Sequence, residues 1–405
     1  KNPVGAFSGL SDNSRLWRAV GRLAVITPFM IAVFYTVITV WIALYMVEAA
    51  FGNLTALAQP EAFGRFAASP VLFLYLVPLL ALVFYILSGG VKDGIEKAAR
   101  IMMPALLVLL VVLVMFVLTL DNASAGLAYY LVPDFSKINS SVVNGALNQA
   151  FFSLSLGMGI LITYGSYFSR QDSIPGSARM VAITDSSVAF IAGLLILPAV
   201  FAMNPEIQAD ELSDSSIGMI FSFLPQIFLS MQEVIGYFGA SLVATVFFIL
   251  VFFAALTSLV SITEIPIAYL VDEKEGYTRR MAIGIISILL SIFVVMATVS
   301  FGMVDWLTGF VSYGGISKSF FDVILDVFYE TVLPLVGFTV CIFCSYRWQR
   351  GEFAKELATG EKTYMHSLLQ KYVTVALSTF IPVLLLAVFA NNVAQIFFAY
   401  NLLGF

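Results

Sequence analysis

Charge is scarce in this chain: lysine and arginine number 20 and aspartate and glutamate 25 among 405 residues, 11% of the whole, against roughly a quarter in a soluble domain. Histidine is scarcer still, with His366 the single example, and there are two cysteines, Cys341 and Cys344. No Ser-His-Asp, Cys-His or glycine-rich phosphate-binding arrangement can be assembled from this inventory, so the chain is not expected to be an enzyme. The cysteines stand one helical turn apart inside an apolar run. Two sulfurs fall short of the four ligands of a structural zinc site, and they read as small core residues. The net charge of −5 sits largely in loops, and no nucleic-acid partner is expected. The chain opens Lys-Asn-Pro rather than with Met and has no signal peptide. An N-terminal truncation is expected, with an even number of membrane spans upstream.

What the chain has in abundance is hydrophobic residues, 60% of the total, with a mean hydropathy of +0.97. That composition predicts an all-α, polytopic membrane protein embedded in a lipid bilayer. Nine apolar segments are legible: Leu23–Glu48, Pro70–Ser88, Ile101–Leu120, Val142–Phe168, Ala178–Met203, Val234–Val271, Met281–Val299, Phe320–Cys344 and Tyr372–Ala399. The one beginning at Val234 exceeds what a bilayer requires, which predicts tilt or an extension beyond the membrane. Basic residues occupy alternate loops. Seventeen of the 20 fall on one side, leaving Arg65, Lys137 and Lys318 on the other. By the positive-inside rule the first residues are cytoplasmic and the C-terminus is outside. Residues 1–22 then form a cytoplasmic lead-in and residues 346–371 a cytoplasmic loop.

The stretch Asn148–Gly159, NQAFFSLSLGMG, interrupts one membrane-length segment. Its flanks, Ser141–Phe151 and Ile160–Phe168, each supply about half of the ~20 residues a spanning helix needs. Between them Ser153, Ser155, Gly157 and Gly159 form a run of poor helix formers. Freed backbone groups at that depth are tolerated only where they line a polar cavity or hold a ligand, so a broken helix points to a transporter's binding site. The alternative is a continuous helix whose small residues allow close packing.

Buried polar residues add to this. Asp185 lies about seven residues into its span with no basic residue within two turns on its C-terminal side. A carboxylate there costs at least ~2.5–3.5 kcal/mol, so its partner is another helix, a bound cation, or a proton held by neighbours. Ala254, Thr257 and Ser258 share one helix face. Their oxygens suit a hard cation such as sodium, though the same spacing serves as a packing seam. Glu264 lies toward the cytoplasmic end, within reach of water. Asp322, Asp326 and Glu330 recur every fourth residue from the outer end of their span.

Together these residues resemble the neurotransmitter:sodium symporter family, its bacterial amino-acid transporters in particular. The resemblance rests on QAFFSLSLGMG at Gln149–Gly159, GGVKDGIEKAARIMMP at Gly89–Pro104, PFMIAVFYTVITVW at Pro28–Trp41 and FFAALTSLVSITE at Phe252–Glu264, and it spans essentially the whole chain as family helices three to eleven. It implies a single transmembrane transporter domain over residues 1–405, with an inverted 5+5 repeat and broken helices. It implies that Tyr35 gives its hydroxyl to the substrate carboxylate and that Ile31, Ser155, Met158, Ser258 and Ile262 line the side-chain pocket, with Phe152 as lid. It implies sodium ligation by Ser153 and Asp185 at one site and by Ala254, Thr257 and Ser258 at a second. Gln149, Phe152 and Asp326 would form the outer gate, with Asp322 the alternative acid. On the seventh family helix, counting from Gly193 selects Asp185 as the ligand and counting from Pro198 selects Thr184; a buried carboxylate needs a cation, which favours Asp185. Chloride-dependent relatives use a serine where Ala189 stands, so Asp185 is expected to replace chloride. Gly94 and Pro104 match a spacing linked in the family to local unwinding. The family's first helix, which completes both sites, is missing from this chain.

The function these readings imply is sodium-coupled symport of a hydrophobic or aromatic L-amino acid by alternating access. The alternatives are a proton-coupled transporter of the same fold, with Asp185 or Glu264 carrying the proton, and a non-transporting membrane sensor.

Overall fold

A computed structural model describes residues 2–89, 92–203, 216–273, 275–400 and 402, with the side chains of 92–98, 216–219 and 362 outside that description. Among the basic residues of the orientation argument, Lys1 and Lys274 and the side chains of Lys92, Lys97 and Lys362 therefore lie outside the described residues.

The described chain is helical almost throughout. A short helix α1 (Pro3–Gly9) precedes α2 (Arg15–Ala50), α3 (Leu72–Gly89), α4 (Lys92–Val117) and α5 (Ala123–Leu131). The interrupted segment follows as α6 (Ser140–Ser153) and α7 (Ile160–Gly165), then α8 (Ile174–Met203), α9 (Ser216–Ser230), α10 (Gln232–Glu273) and α11 (Arg279–Val299). A hairpin of β1 (Val311–Tyr313) and β2 (Ile316–Lys318) leads to α12 (Phe320–Arg347), α13 (Leu368–Ser378) and α14 (Phe380–Phe398). Starts are set by side-chain caps: Asn139 accepts from the Val142 amide, Thr278 from Met281, Ser319 from Asp322 and Ser367 from Gln370. Each satisfies an amide that a helix start leaves without a partner.

Eight helices among the described residues are long and apolar enough to cross a bilayer. The ninth predicted segment is not among them because it is broken, into pieces of 14 and 6 residues. Helix α2 forms the centre: Ile31, Val33, Val37, Leu44 and Tyr45 have essentially no exposed surface, and α10 packs along its length. Helix α4, by contrast, presents Ile101, Val108, Val112 and Met115 outward. That is how a helix facing hydrocarbon distributes its side chains, since lipid and core are equally apolar.

Three segments gain detail and one expectation changes. Helix α4 runs through Gly94 and Pro104 as one helix. The long segment beginning at Val234 is α10, 42 residues, with its first turns bent off at Gly236 (φ 73°, ψ 163°), a conformation open to glycine alone. The last segment is divided at Thr379, whose φ of −128° and ψ of −87° separate α13 from α14. Most instructive is Glu264, expected within reach of water. It is 6% exposed, and both Arg279 guanidinium nitrogens donate to its carboxylate at 2.7 Å. Arg279 also donates to the Leu87 carbonyl at 3.1 Å, so one ion pair joins the ends of α3, α10 and α11. Replacing Glu264 with glutamine should leave the guanidinium without its charge partner and cost about 2–4 kcal/mol, somewhat less than for a fully enclosed pair. Thermal unfolding of the purified protein in detergent measures this as a lowered midpoint.

Candidate functional site

Helix α6 ends at Ser153, and the chain does not become helical again until Ile160. Between them Ser155, Gly157 and Gly159 take positive φ of 55°, 75° and 69°, three left-handed residues in five, which no helix accommodates. The neighbours leave no room for side chains at the glycines. A Cβ on Gly157 would stand 2.8 Å from the Leu333 carbonyl oxygen, and one on Gly159 would stand 2.5 Å from that of Ala24. The break is thus clamped between α2 and α12. A continuous helix with a small-residue seam is not what forms.

At the end of α6 the Ser153 hydroxyl donates to the Asp185 carboxylate at 2.5 Å. The two residues expected to share a cation are therefore in contact, and Asp185 rather than Thr184 is the residue of α8 that reaches the break. On α10, the Thr257 hydroxyl donates to the Ala254 carbonyl at 2.8 Å, which holds those two oxygens side by side, with Ser258 next in sequence. Ser258 lies near the Tyr35 hydroxyl of α2. Two groups of oxygens, Ser153 with Asp185 and Ala254 with Thr257 and Ser258, each fit a hard monovalent cation in donor type.

The expected pocket residues divide into two groups. Ile31, Met158 and Ile262 are buried, while Ser155 is half-buried at the break. Tyr35, Gln149, Phe152 and Asp326 line an open cavity of about 620 Å³, whose remaining wall is mostly apolar side chains of α2, α8, α9 and α10. Phe152 sits between the two groups. Its ring stacks on Phe34 at 6.1 Å, meets Tyr35 at 6.4 Å and receives the edge of Tyr329 at 5.1 Å.

The acidic stripe resolves into three different environments. Asp322 is spent on a capping box with Ser319, so it is not available to the cavity. The backbone then widens to a π-helix over Leu325–Val332. With i→i+5 pairing, Asp326 and Glu330 stay on one side, and both line the cavity. Asp326 is held by Lys318 at 2.9 Å and by the Tyr313 hydroxyl at 2.7 Å. Burial, then the Asp326 carboxylate, push the Tyr313 hydroxyl above its ordinary range, so it remains a donor. Glu330 takes the side-chain amide of Asn148, and its backbone carbonyl takes that of Asn392 at 2.6 Å. Sequence reading passed over Asn148, Tyr313, Lys318 and Tyr329. Only Asn148, a polar residue opening the broken stretch, carried a usable signal.

The chain as a whole is similar to solved structures and curated sequences. MhsT in complex with L-phenylalanine superposes with a TM-score of 0.84 at 33% identity, covering 96% of this chain and 84% of that one. An uncharacterized sodium-dependent transporter of Bacillus subtilis is 31% identical over 365 residues, 89% of this chain and 76% of its own length. Another from Methanocaldococcus jannaschii is 32% identical over 294 residues, and a third from Haemophilus influenzae 31% over 278; this chain spans 58% of each. Sodium is the ion these relatives share, and transport rather than catalysis is what they are named for. With one membrane-length segment broken between Ser153 and Ile160, and with residues 67–402 matching its profile, the chain belongs to the Sodium:neurotransmitter symporter family.

Proposed function

We propose that this protein carries a hydrophobic or aromatic L-amino acid across the cell membrane, coupled to sodium and independent of chloride, with residue 1 cytoplasmic and the C-terminus outside. The observation that carries this reading is the meeting of Ser153 and Asp185 at the open end of α6. A fixed carboxylate beside a hydroxyl and freed carbonyls is a place where sodium exchanges hydration for protein oxygen. Each sodium moving inward gains ~2.3 kcal/mol per 100 mV of membrane potential, which drives an uncharged or zwitterionic solute up its gradient.

In this reading Ser153 and Asp185 hold one sodium, and Ala254, Thr257 and Ser258 a second. Tyr35 presents its hydroxyl to the substrate carboxylate. Ile31, Met158 and Ile262 wall the side-chain pocket, with Ser155 and Ser258 its polar exceptions. The apolar character of that wall favours aliphatic and aromatic side chains, and Met158 deforms to admit several sizes. The L-phenylalanine bound to MhsT supports the same class. Gln149, Phe152 and Asp326 close the outer side, and the bundle containing α6, α7 and α8 rocks against α2 and α10. Of the proton-coupled alternatives, Glu264 is disfavoured by its ion pair with Arg279.

Radiolabelled L-phenylalanine uptake by the full-length protein in vesicles tests this directly. Exchange of sodium for potassium or choline is expected to abolish accumulation, and exchange of chloride for gluconate to leave it unchanged. Uptake that ignores sodium and follows pH would replace sodium coupling with proton coupling. A sharp loss in gluconate would remove Asp185 as the substitute for chloride.

A further inference from the structure

The hairpin β1–β2 is rigid and well anchored. Its turn uses Gly314 and Gly315 at φ of 60° and 81°, the two positive values that a tight two-residue turn demands. The Gly314 amide donates to the Phe397 carbonyl at 3.2 Å, and a Cβ on Gly314 would lie 2.4 Å from the Ile396 oxygen, so the turn is pressed against α14. The Tyr313 ring packs on Phe397 at 4.9 Å. From this base Lys318 and Tyr313 both reach Asp326, and both take the same oxygen, Oδ2. The ammonium also lies 5.8 Å from the centre of the Tyr313 ring. The pair is mostly shielded, with side-chain exposures of 20% for Lys318 and 15% for Asp326.

Such geometry does two things to the carboxylate. It fixes one rotamer, because two donors from a rigid turn converge on a single atom. It also leaves Oδ1 outside both contacts, on a residue that borders the cavity. Glu330, a second carboxylate, borders the same cavity, so without Lys318 two like charges would face one another across shared space and repel.

We propose that Lys318 is a positioning residue for the outer gate: the hairpin holds Asp326 aimed at the cavity and cancels its repulsion of Glu330, so that the cavity mouth can close. This rests on the reading of Asp326 as the gate acid and of that end as the outer side. Lys318 touches neither substrate nor sodium in this account. It acts through Asp326 alone.

The test follows closure of the mouth rather than transport. Ile220 lines the cavity and is exposed; as Ile220→Cys in the full-length protein in cells, it is modified by a membrane-impermeant thiol reagent, with the protein lacking that substitution as background. Labelling is expressed per molecule, so a change in protein amount does not move it. Lys318→Met is expected to raise the rate about 5-fold in both sodium and choline media, the scale of a partly shielded ion pair. Lys318→Arg should restore the slow rate, and adding Lys318→Met to Asp326→Asn should change nothing further. The proposal fails if Lys318→Met labels at the unsubstituted rate while Asp326→Asn labels fast, if the arginine does not restore, or if the two effects multiply. If Asp326→Asn itself labels slowly, the gate reading of Asp326 falls, and this inference with it.

Discussion

Asp185→Asn is expected to lower sodium-driven uptake by about two to three orders of magnitude at fixed sodium, with protein abundance little changed. Two opposite charges at about 4 Å interact by roughly 4 kcal/mol at the effective dielectric of a partly shielded site, and asparagine keeps the oxygen while discarding the charge. Ser153 loses nothing structural, because an amide oxygen still accepts its hydroxyl. The loss should therefore appear in the sodium concentration needed for half-maximal uptake, shifted upward. Chloride in the medium should not rescue it, since Ala189, one turn on, offers no hydroxyl to hold an anion. Uptake titrated with sodium, in chloride and in gluconate, measures all of this. Activity within tenfold of the unsubstituted protein would mean that Asp185 is a structural partner of Ser153 and nothing more.

Asp185 is legible in the sequence and Lys318 is not because the two are specified over different ranges. A carboxylate in the middle of an apolar run is anomalous by itself, and its cost demands a partner wherever that partner lies in sequence. The break at Ser153–Ile160 is likewise local: serines and glycines at alternate positions cannot hold a helix, and the expected interruption falls where α6 ends. Ala254, Thr257 and Ser258 were legible because helical spacing alone puts them on one face. Lys318, Tyr313 and Asn148 acquire meaning only through contacts between elements that sequence distance does not reveal. The same applies to Glu264, which looks solvent-bound from its place near a span end until α11 brings Arg279 alongside. Asp322 and Asp326 are equivalent by periodicity. What separates them is the serine before α12, which claims the first, and the π-helix that begins just beyond it.

Gly159→Ala carries the second large effect, and it tests whether the break is merely tolerated or is required. Alanine must adopt a φ near 69° there, which costs about 1–2 kcal/mol for a residue with a Cβ. The methyl group would also come within 2.5 Å of the Ala24 carbonyl oxygen and 2.8 Å of the Pro3 ring. Neither neighbour yields easily: one is backbone of the most buried helix in the bundle, and the other belongs to α1, whose start is fixed by the Asn2 side chain accepting from Gly5 at 2.9 Å. Forcing a methyl group into packed surroundings adds about 1–3 kcal/mol. The helix has one inexpensive escape, which is to continue through the break, since alanine favours helix by about 1 kcal/mol over glycine. That would withdraw the carbonyls freed between Ser153 and Ile160 and move Ser153 relative to Asp185. Uptake should fall at least about 50-fold as a result, more than the lost stability alone would produce. Gly165→Ala is the matched control: it lies at the end of the following helix with no atom crowding its Cβ position, and it should transport normally. Comparable activity in the two variants, at equal abundance in the membrane, would show that the left-handed turn at Gly159 has no part in holding the ion.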